Sequence, residues 1–119
     1  MLMVAVRAGA ETEHAVNADI LRRLGSDGFV VNISRGSVID ETALVAALTD
    51  GVIAGAGLDV FAREPHAPDG LTALPNVVLS PHLGGHTLES HVAMQDCVLA
   101  NLDAFFAGKP LAYPVATAS

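Results

Sequence analysis

A chain of 119 residues is long enough for one domain, and with 51% hydrophobic residues it can bury a core. Its 13 acidic and 6 basic side chains give a formal net charge of −7, which argues against nucleic acid or anionic membranes as partners. No apolar run approaches the roughly 20 residues of a membrane span, and the single cysteine excludes an internal disulfide, so we expect a soluble, cytoplasmic protein.

Four apolar runs are predicted to form the strands of a sheet. They cover residues 1–6, a run that begins at Phe29, residues 52–60 and residues 76–80. Short runs of this kind, rich in β-branched residues and bounded by turn formers, are typical of buried parallel strands. The third run is rich in glycine and alanine, which indicates close approach of another backbone or a ligand.

Two short helices are predicted between these strands. Asn17 can cap a helix that ends at Gly25, and Asp40 can cap a second helix that stops at Gly51. Each helix therefore connects two successive strands. Connections of this length predict parallel strands with right-handed crossovers.

The longest helix is predicted over about residues 87–107, where apolar side chains form a wide stripe. Residues 61–75 contain three prolines and are expected to form an irregular connection, and the tail LAYPVATAS is expected to be extended or disordered. The element order β-α-β-α-β-loop-β-α predicts an α/β fold with a mostly parallel sheet.

Polar residues and glycines suited to a binding site follow the predicted strands. They are Thr12, Ser34, Arg35, Gly36, Asp59, Glu64, His82, Gly84 and Gly85. Because the carboxyl ends of parallel strands share one edge of the sheet, these residues are expected to meet there. A histidine can exchange a proton near neutral pH, a carboxylate can orient it, and an arginine can hold an anionic substrate. Gly36 would let another molecule approach the backbone.

Each of these side chains also has an ordinary structural interpretation. Arg35 could lie on the surface of a strand-to-helix turn, and His82 could bond to nearby backbone. Glu64 could be solvated, and Asp59 could be a simple turn former. Their common placement at the strand ends favours a catalytic role over the four separate interpretations.

A metal site is the other hypothesis that the histidines suggest. His82, His86 and His91 lie close together in the sequence. The glycines between the first two argue against a helical pair, however, and no carboxylate lies at ligand spacing. We therefore predict that the chain binds no metal.

Three segments, VNISRGSVID, GAGLDVFAREP and LSPHLGGHT, resemble in order and spacing the signature segments of the D-2-hydroxyacid dehydrogenase family. They are most similar to its glyoxylate/hydroxypyruvate reductase-like members, and the similarity covers nearly the whole chain. The resemblance implies a partial Rossmann-like, doubly wound parallel sheet with a long C-terminal helix. It also implies an oxidoreductase that transfers hydride between NAD or NADP and the C2 carbonyl of a small 2-oxo acid, such as glyoxylate or hydroxypyruvate.

The resemblance assigns roles by position. Arg35 would hold the carboxylate and carbonyl of the substrate, His82 would protonate the new alkoxide, and Glu64 would pair with His82. Asp59 would meet the carboxamide of the nicotinamide. The cofactor-binding residues would be Thr12, Ile33, Ser34, Arg35, Asp59, His82, Gly84 and Gly85.

The chain would correspond to only part of such an enzyme. Residues 1–108 would be the C-terminal portion of the NAD(P)-binding domain, and residues 109–119 a tail that returns toward a substrate domain. The glycine-rich GxGxxG turn that binds the diphosphate has no counterpart in this sequence. We therefore expect the purified chain to bind NADH weakly, which calorimetry would measure.

Two hypotheses follow about how the chain works. In the first, it is active as part of a longer product or beside a complementing chain. In the second, it is an inactive remnant or association module that pairs with another copy through its exposed sheet edge. Both are compatible with a homodimer, and light scattering would test whether the chain self-associates.

Overall fold

The structure, a computed structural model, describes residues 1–115. The chain divides into two units, of which the first is Met1–Gly84 and the second begins at Gly85. The first unit contains the sheet and every strand-end residue discussed above except Gly85. The second unit is built on the longest helix. Each unit is described here by itself.

The sheet of the first unit has four parallel strands whose spatial order equals their order in the chain. These are β1 (Leu2–Val4), β2 (Phe29–Asn32), β3 (Gly55–Leu58) and β4 (Val77–Leu79). The register places the last residues of the four strands side by side, so their carboxyl ends form one edge. The predicted parallel α/β sheet is therefore confirmed.

Two capped helices connect the first three strands. In α1 (Ala18–Leu24), the side chain of Asn17 accepts hydrogen bonds from the first-turn backbone, and Gly25 ends the helix with φ at +80°. In α2 (Glu41–Thr49), the side chain of Asp40 accepts a hydrogen bond from a backbone N–H of the first turn. The caps that the sequence predicted are confirmed, because each satisfies a donor with no partner inside its helix.

The core lies between these helices and one face of the sheet. Leu21 of α1 and Leu44 of α2 are fully buried in one cluster with Val30 of β2. The opposite face carries a row that includes Met3 and Val78, whose side chains are 51% and 73% exposed. Within Met1–Gly84, the helical layer therefore covers one face of the sheet.

The connection predicted to be irregular contains a short helix, α3 (Asp69–Thr72). Its Leu71 is fully buried in the core, and this burial stabilises one helical turn despite the flanking prolines. The third strand is shorter than predicted, because the backbone of Val52 and Ile53 bonds back to Ala47 at the end of α2. The chain needs these residues to turn from the helix into the strand.

The second unit contains α4 (Leu88–Phe106), close to the predicted helix. Thr87 and Ser90 exchange hydrogen bonds between side chain and backbone at 3.1 Å, which forms a capping box. In this described helix no residue is buried. Of the tail predicted to be extended or disordered, residues 111–115 form no helix or strand, and residues 116–119 lie outside the described residues. Within the part of the chain described, no helix has both the length and the hydropathy needed to cross a membrane.

Candidate active site

The turn that carries Arg35 is held by a buried asparagine at the end of β2. Asn32 is only 1% exposed, and its Oδ1 accepts hydrogen bonds from the backbone N–H and the hydroxyl of Ser34, at 2.9 and 3.0 Å. Its Nδ2 donates to the backbone oxygen of Arg35 at 2.9 Å. The buried amide is thereby satisfied, and it fixes the backbone from which the exposed Arg35 side chain projects.

Gly36 permits this turn to contact the loop that follows β3. A Cβ atom built on Gly36 would lie 1.9 Å from the carbonyl carbon of Phe61 and 2.1 Å from the backbone nitrogen of Ala62. No real side chain fits at such distances. On the side where a side chain would lie, the close neighbour of Gly36 is therefore the chain's own backbone; the approach of another molecule stays a prediction.

His82 and Glu64 form a pair at the same edge. Nδ1 of His82 lies 2.8 Å from Oε2 of Glu64, and Oε1 of Glu64 accepts a hydrogen bond from the backbone N–H of Phe61 at 3.2 Å. The hydrogen bond from His82 lowers the pKa of Glu64, and the Phe61 amide and the Arg35 charge act in the same direction. An ionised Glu64 favours the imidazole tautomer with its proton on Nδ1, which leaves Nε2 to exchange a proton.

The loop that carries His82 is organised by Asp59. This buried carboxylate accepts hydrogen bonds from the hydroxyl of Ser80 (2.5 Å) and from the backbone N–H groups of Leu83 (2.8 Å) and Gly84 (2.7 Å). The backbone oxygen of Asp59 accepts a fourth hydrogen bond from the backbone of His82, whose φ is +56°. Left-handed backbone is unfavourable for most residues, so these contacts help to hold His82 in this conformation.

Hydrogen bonding also determines the ionisation of Asp59. The Ser80 hydroxyl lowers the pKa of Asp59 most, the amides of Leu83 and Gly84 lower it further, and burial opposes them. The carboxylate is therefore ionised at neutral pH. Its predicted contact with the nicotinamide stays a prediction, because the contacts seen here are to the loop of His82.

Substitution of Asp59 by asparagine is expected to lower the free energy of unfolding by about 1–3 kcal/mol at pH 7, because an amide cannot accept all three hydrogen bonds. Folding lowers the pKa of Asp59 below its value of about 3.9 in the unfolded chain. The carboxylate therefore stabilises the wild-type fold at pH values above about 3.9, and this stabilisation is lost as the pH falls through the lower pKa of the folded state. Urea unfolding at pH 7 and at several values between about 4 and 2 measures both effects.

The control for this experiment is Asp27→Asn, which changes an exposed acid in a loop and is expected to have little effect. The difference in stability between the wild type and Asp59→Asn should shrink as the pH falls below about 4. A difference that stays constant over that range would contradict the proposed role of the ionised carboxylate.

Two clefts include Arg35 in their lining. A cleft of about 310 Å³ is lined by Arg35, Gly36, Ser37, Phe61, Ala62, Glu64 and His82. A second cleft of about 560 Å³ is lined by Ala5, Val6, Arg7, Ala8, Ile33, Ser34 and Arg35. The first cleft brings together the three residues predicted to be catalytic. Arg35 borders both clefts, so an anion held there can lie next to a second ligand.

The second cleft has the size of a small-ligand site, since such clefts usually enclose about 300–1,000 Å³. Its lining is about equally polar and apolar, and Ile33 exposes about half of its surface (51%). The cofactor-binding role of Ile33, Ser34 and Arg35 stays a prediction.

The remaining predicted residues are in different surroundings. Thr12 lies in a short 3-10 helix. Its hydroxyl accepts a hydrogen bond from the backbone N–H of Gly9 and donates one to the backbone oxygen of Arg7. Among the described residues, Thr12 lines neither of the two clefts. Gly84 donates its N–H to Asp59, and Gly85 belongs to the second unit. Within residues 1–115, no group of three or more His, Cys, Asp and Glu side chains is placed to hold a metal ion.

Two residues that support the site, Asn32 and Ser80, were not predicted from the sequence. Asn32 stands inside an apolar strand, and a polar residue at such a position is the signal that could have identified it. Ser80 ends the fourth predicted run and bonds to Asp59, 21 residues earlier. Nothing in the sequence spacing indicates this second contact.

A parallel sheet with an arginine and a carboxylate-paired histidine at its carboxyl edge places this chain in the Rossmann-like class of α/β domains. The family model for the D-isomer specific 2-hydroxyacid dehydrogenase, NAD binding domain, matches residues 1–84. The chain therefore belongs to the D-isomer specific 2-hydroxyacid dehydrogenase family, as the three sequence segments indicated.

Several relatives within this family are similar over most of the chain. Hydroxyphenylpyruvate reductase of Plectranthus scutellarioides is 49% identical over 97% of the chain, and a glyoxylate/hydroxypyruvate reductase of Arabidopsis thaliana is 47% identical over 97%. The NADPH-dependent glyoxylate/hydroxypyruvate reductase of Sinorhizobium meliloti, solved with NADP and malonate, is 49% identical over 97% of the chain, with a TM-score of 0.89. The chain spans 37% of each of the first two proteins and 36% of the third.

Proposed function

We propose that this chain supplies the catalytic side chains of an NAD(P)-dependent reductase for small 2-oxo acids such as glyoxylate or hydroxypyruvate. The observation that carries this proposal is the single cleft lined by Arg35, Glu64 and His82. The names of the relatives support the substrate class. The reverse reaction would oxidise the corresponding 2-hydroxy acid.

The three side chains match the chemical demands of carbonyl reduction. When bound, the reduced nicotinamide supplies hydride to the C2 carbonyl carbon, and charge develops on the oxygen. Nε2 of His82 can donate a proton to that oxygen, while Glu64 holds Nδ1 and stabilises the charged imidazole. The guanidinium of Arg35 can hold the substrate carboxylate through two parallel hydrogen bonds and place the carbonyl beside His82.

The cofactor is proposed to lie along the carboxyl edge of the sheet. Ile33, Ser34 and Arg35 line the cleft proposed for the nicotinamide, and Arg35 also borders the cleft that would hold the substrate. The further cofactor residues proposed from the family pattern are Thr12, Asp59, His82, Gly84 and Gly85. Either NAD or NADP can supply the same hydride, so both belong to the proposal.

The proposal also concerns the rest of the enzyme. Because the chain spans 37% of its curated relatives, we propose that the remaining parts of the site come from a longer product or a complementing chain. Residues 1–108 would belong to the NAD(P)-binding domain and residues 109–119 to a segment that returns toward a substrate domain. The single cysteine is consistent with a cytoplasmic location.

Association with another copy is the second candidate function. The exposed row that includes Met3 and Val78, and the absence of buried residues in the described helix α4, favour it, because large apolar surfaces tend to find a partner. A homodimer would be compatible with either function. Light scattering on the purified chain measures this association, and a monomer that unfolds cooperatively would count against it.

A chimera tests the catalytic proposal. We expect the S. meliloti reductase to keep NADPH-dependent glyoxylate reduction when its matching segment, 36% of its length, is replaced by this chain. The same reductase without that segment should be inactive. A chimera that folds and binds NADPH but does not reduce glyoxylate or hydroxypyruvate would overturn the proposal.

A further inference from the structure

We propose that Glu41, the first residue of α2, is a positioning residue that holds the loop of Glu64 in its productive place. The inference rests on the proposed function, because it assigns a role within the same site. Glu41 does not line the cleft that contains Arg35, Glu64 and His82. It acts instead through the backbone of Ala62.

The contact between Glu41 and Ala62 joins two distant parts of the chain. Oε1 of Glu41 accepts a hydrogen bond from the backbone N–H of Ala62 at 2.8 Å, across 21 residues of sequence. The preceding N–H, that of Phe61, donates to Oε1 of Glu64. Glu41 and Glu64 therefore accept hydrogen bonds from two successive backbone amides, and Glu64 is the carboxylate bonded to His82.

Phe61 packs the start of the loop against the hydrophobic core, whereas residues 62–66 are exposed. Of the described residues, 61–66 lie outside any helix or strand, apart from one bridge between Arg63 and His66. The side chain of Glu64 is itself partly exposed. The hydrogen bond from Ala62 to Glu41 is therefore a main connection between this loop and a regular element of the fold.

The same peptide group contacts the turn of the arginine. Gly36 packs against the Phe61–Ala62 peptide so closely that a Cβ atom would overlap it. Glu41 therefore fixes the peptide group against which the turn after Arg35 rests. The relative position of Arg35 and the Glu64–His82 pair depends on this contact. A displacement of about 1 Å between catalytic groups can cost roughly 100-fold in rate.

A simpler role for Glu41 is favourable interaction with the N-terminal end of the helix dipole. That role depends on the negative charge, whereas the positioning role depends on an acceptor oxygen at Ala62. Glutamine keeps an acceptor oxygen and loses the charge, while alanine loses both. Glu41→Gln and Glu41→Ala therefore separate the two roles. Asp19→Ala provides a control, because it removes a first-turn carboxylate of α1, together with its ion pair to Arg22, without touching Ala62.

Hydrogen exchange measured by NMR on the 119-residue chain tests the contact without any assay of activity. In Glu41→Ala, exchange of the Ala62 amide is expected to become about tenfold faster or more, because a hydrogen bond to a charged acceptor is lost. In Glu41→Gln, which keeps a neutral acceptor, the acceleration should be clearly smaller than in Glu41→Ala, and in Asp19→Ala exchange should stay within about threefold of the wild type. Unchanged exchange in Glu41→Ala, or equal acceleration in the alanine and glutamine variants, would overturn the inference.

Kinetics of the chimera test the consequence for catalysis. We expect kcat to fall about tenfold or more in Glu41→Ala and to recover in Glu41→Gln. Equal losses in the two variants would show a charge effect and overturn the positioning role. A wild-type chimera that folds and binds NADPH but is inactive would refute the proposed function alone. The exchange of the Ala62 amide would then decide whether Glu41 holds this loop.

Discussion

Replacement of His82 by asparagine is expected to lower the kcat of the chimeric reductase by roughly 10²–10⁴-fold, the usual contribution of a general acid. Asparagine can still hydrogen bond to Glu64, but it cannot transfer a proton to the substrate oxygen. It also tolerates left-handed backbone better than most residues, so the φ of +56° and the backbone hydrogen bond to Asp59 should remain. Steady-state kinetics with glyoxylate and NADPH measures the loss.

The matched control is His66→Asn, which changes an exposed histidine outside the cleft of Arg35, Glu64 and His82. This variant should keep kcat within about twofold of the unsubstituted chimera. A kcat for His82→Asn within about threefold of the unsubstituted value would contradict its role as the acid.

Replacement of Gly36 by alanine is expected to have the largest effect on stability, with a loss of about 3 kcal/mol in the free energy of unfolding. The new Cβ would meet the backbone of Phe61 and Ala62 at 1.9–2.3 Å. Backbone cannot relieve such an overlap by a change of rotamer, so the two loops must move apart. Arg35 should then lose its place beside Glu64, and reduction by the chimera should fall as well. Urea unfolding of the purified chain measures the stability.

Gly9→Ala provides the control for this substitution. Gly9 has extended backbone, with φ at −179°, and no atom lies within 4 Å of a Cβ built there. Its replacement should change the free energy of unfolding by no more than about 0.5 kcal/mol. If Gly36→Ala were as mild as Gly9→Ala, the packing of the two loops would be much looser than the structure indicates.

The architecture could be predicted from the sequence because it depends on patterns that are local. Asn17 and Asp40 begin their helices as expected, and Gly25 ends the first one. The apolar runs that form the strands, bounded by turn formers, can be recognised without knowledge of distant parts of the chain. The short helix around Leu71 was missed, because a single turn has no periodicity and is stabilised only by the core beneath it.

The candidate site could be predicted only in part. The position of Arg35, Glu64 and His82 at one edge follows from the direction of the strands, and the structure places them around one cleft. Their catalytic roles, which came from the family resemblance, stay predictions. The supporting contacts of Asn32 and Asp59 could not be foreseen, because each is a hydrogen bond of one side chain to a particular turn. Such contacts depend on orientation and leave no mark in the spacing of the sequence.

The spatial order of the strands also bears on how the protein is made. Since each strand pairs with the one before it, the sheet can grow one strand at a time as the polypeptide leaves the ribosome. The turn that carries the Arg35 guanidinium can then form well before the loop that carries the His82 imidazole, because that loop follows β4, the last strand to join the sheet. A nascent chain that ends before β4 would contain Arg35, which can bind an anion, but would lack His82, the proposed proton donor.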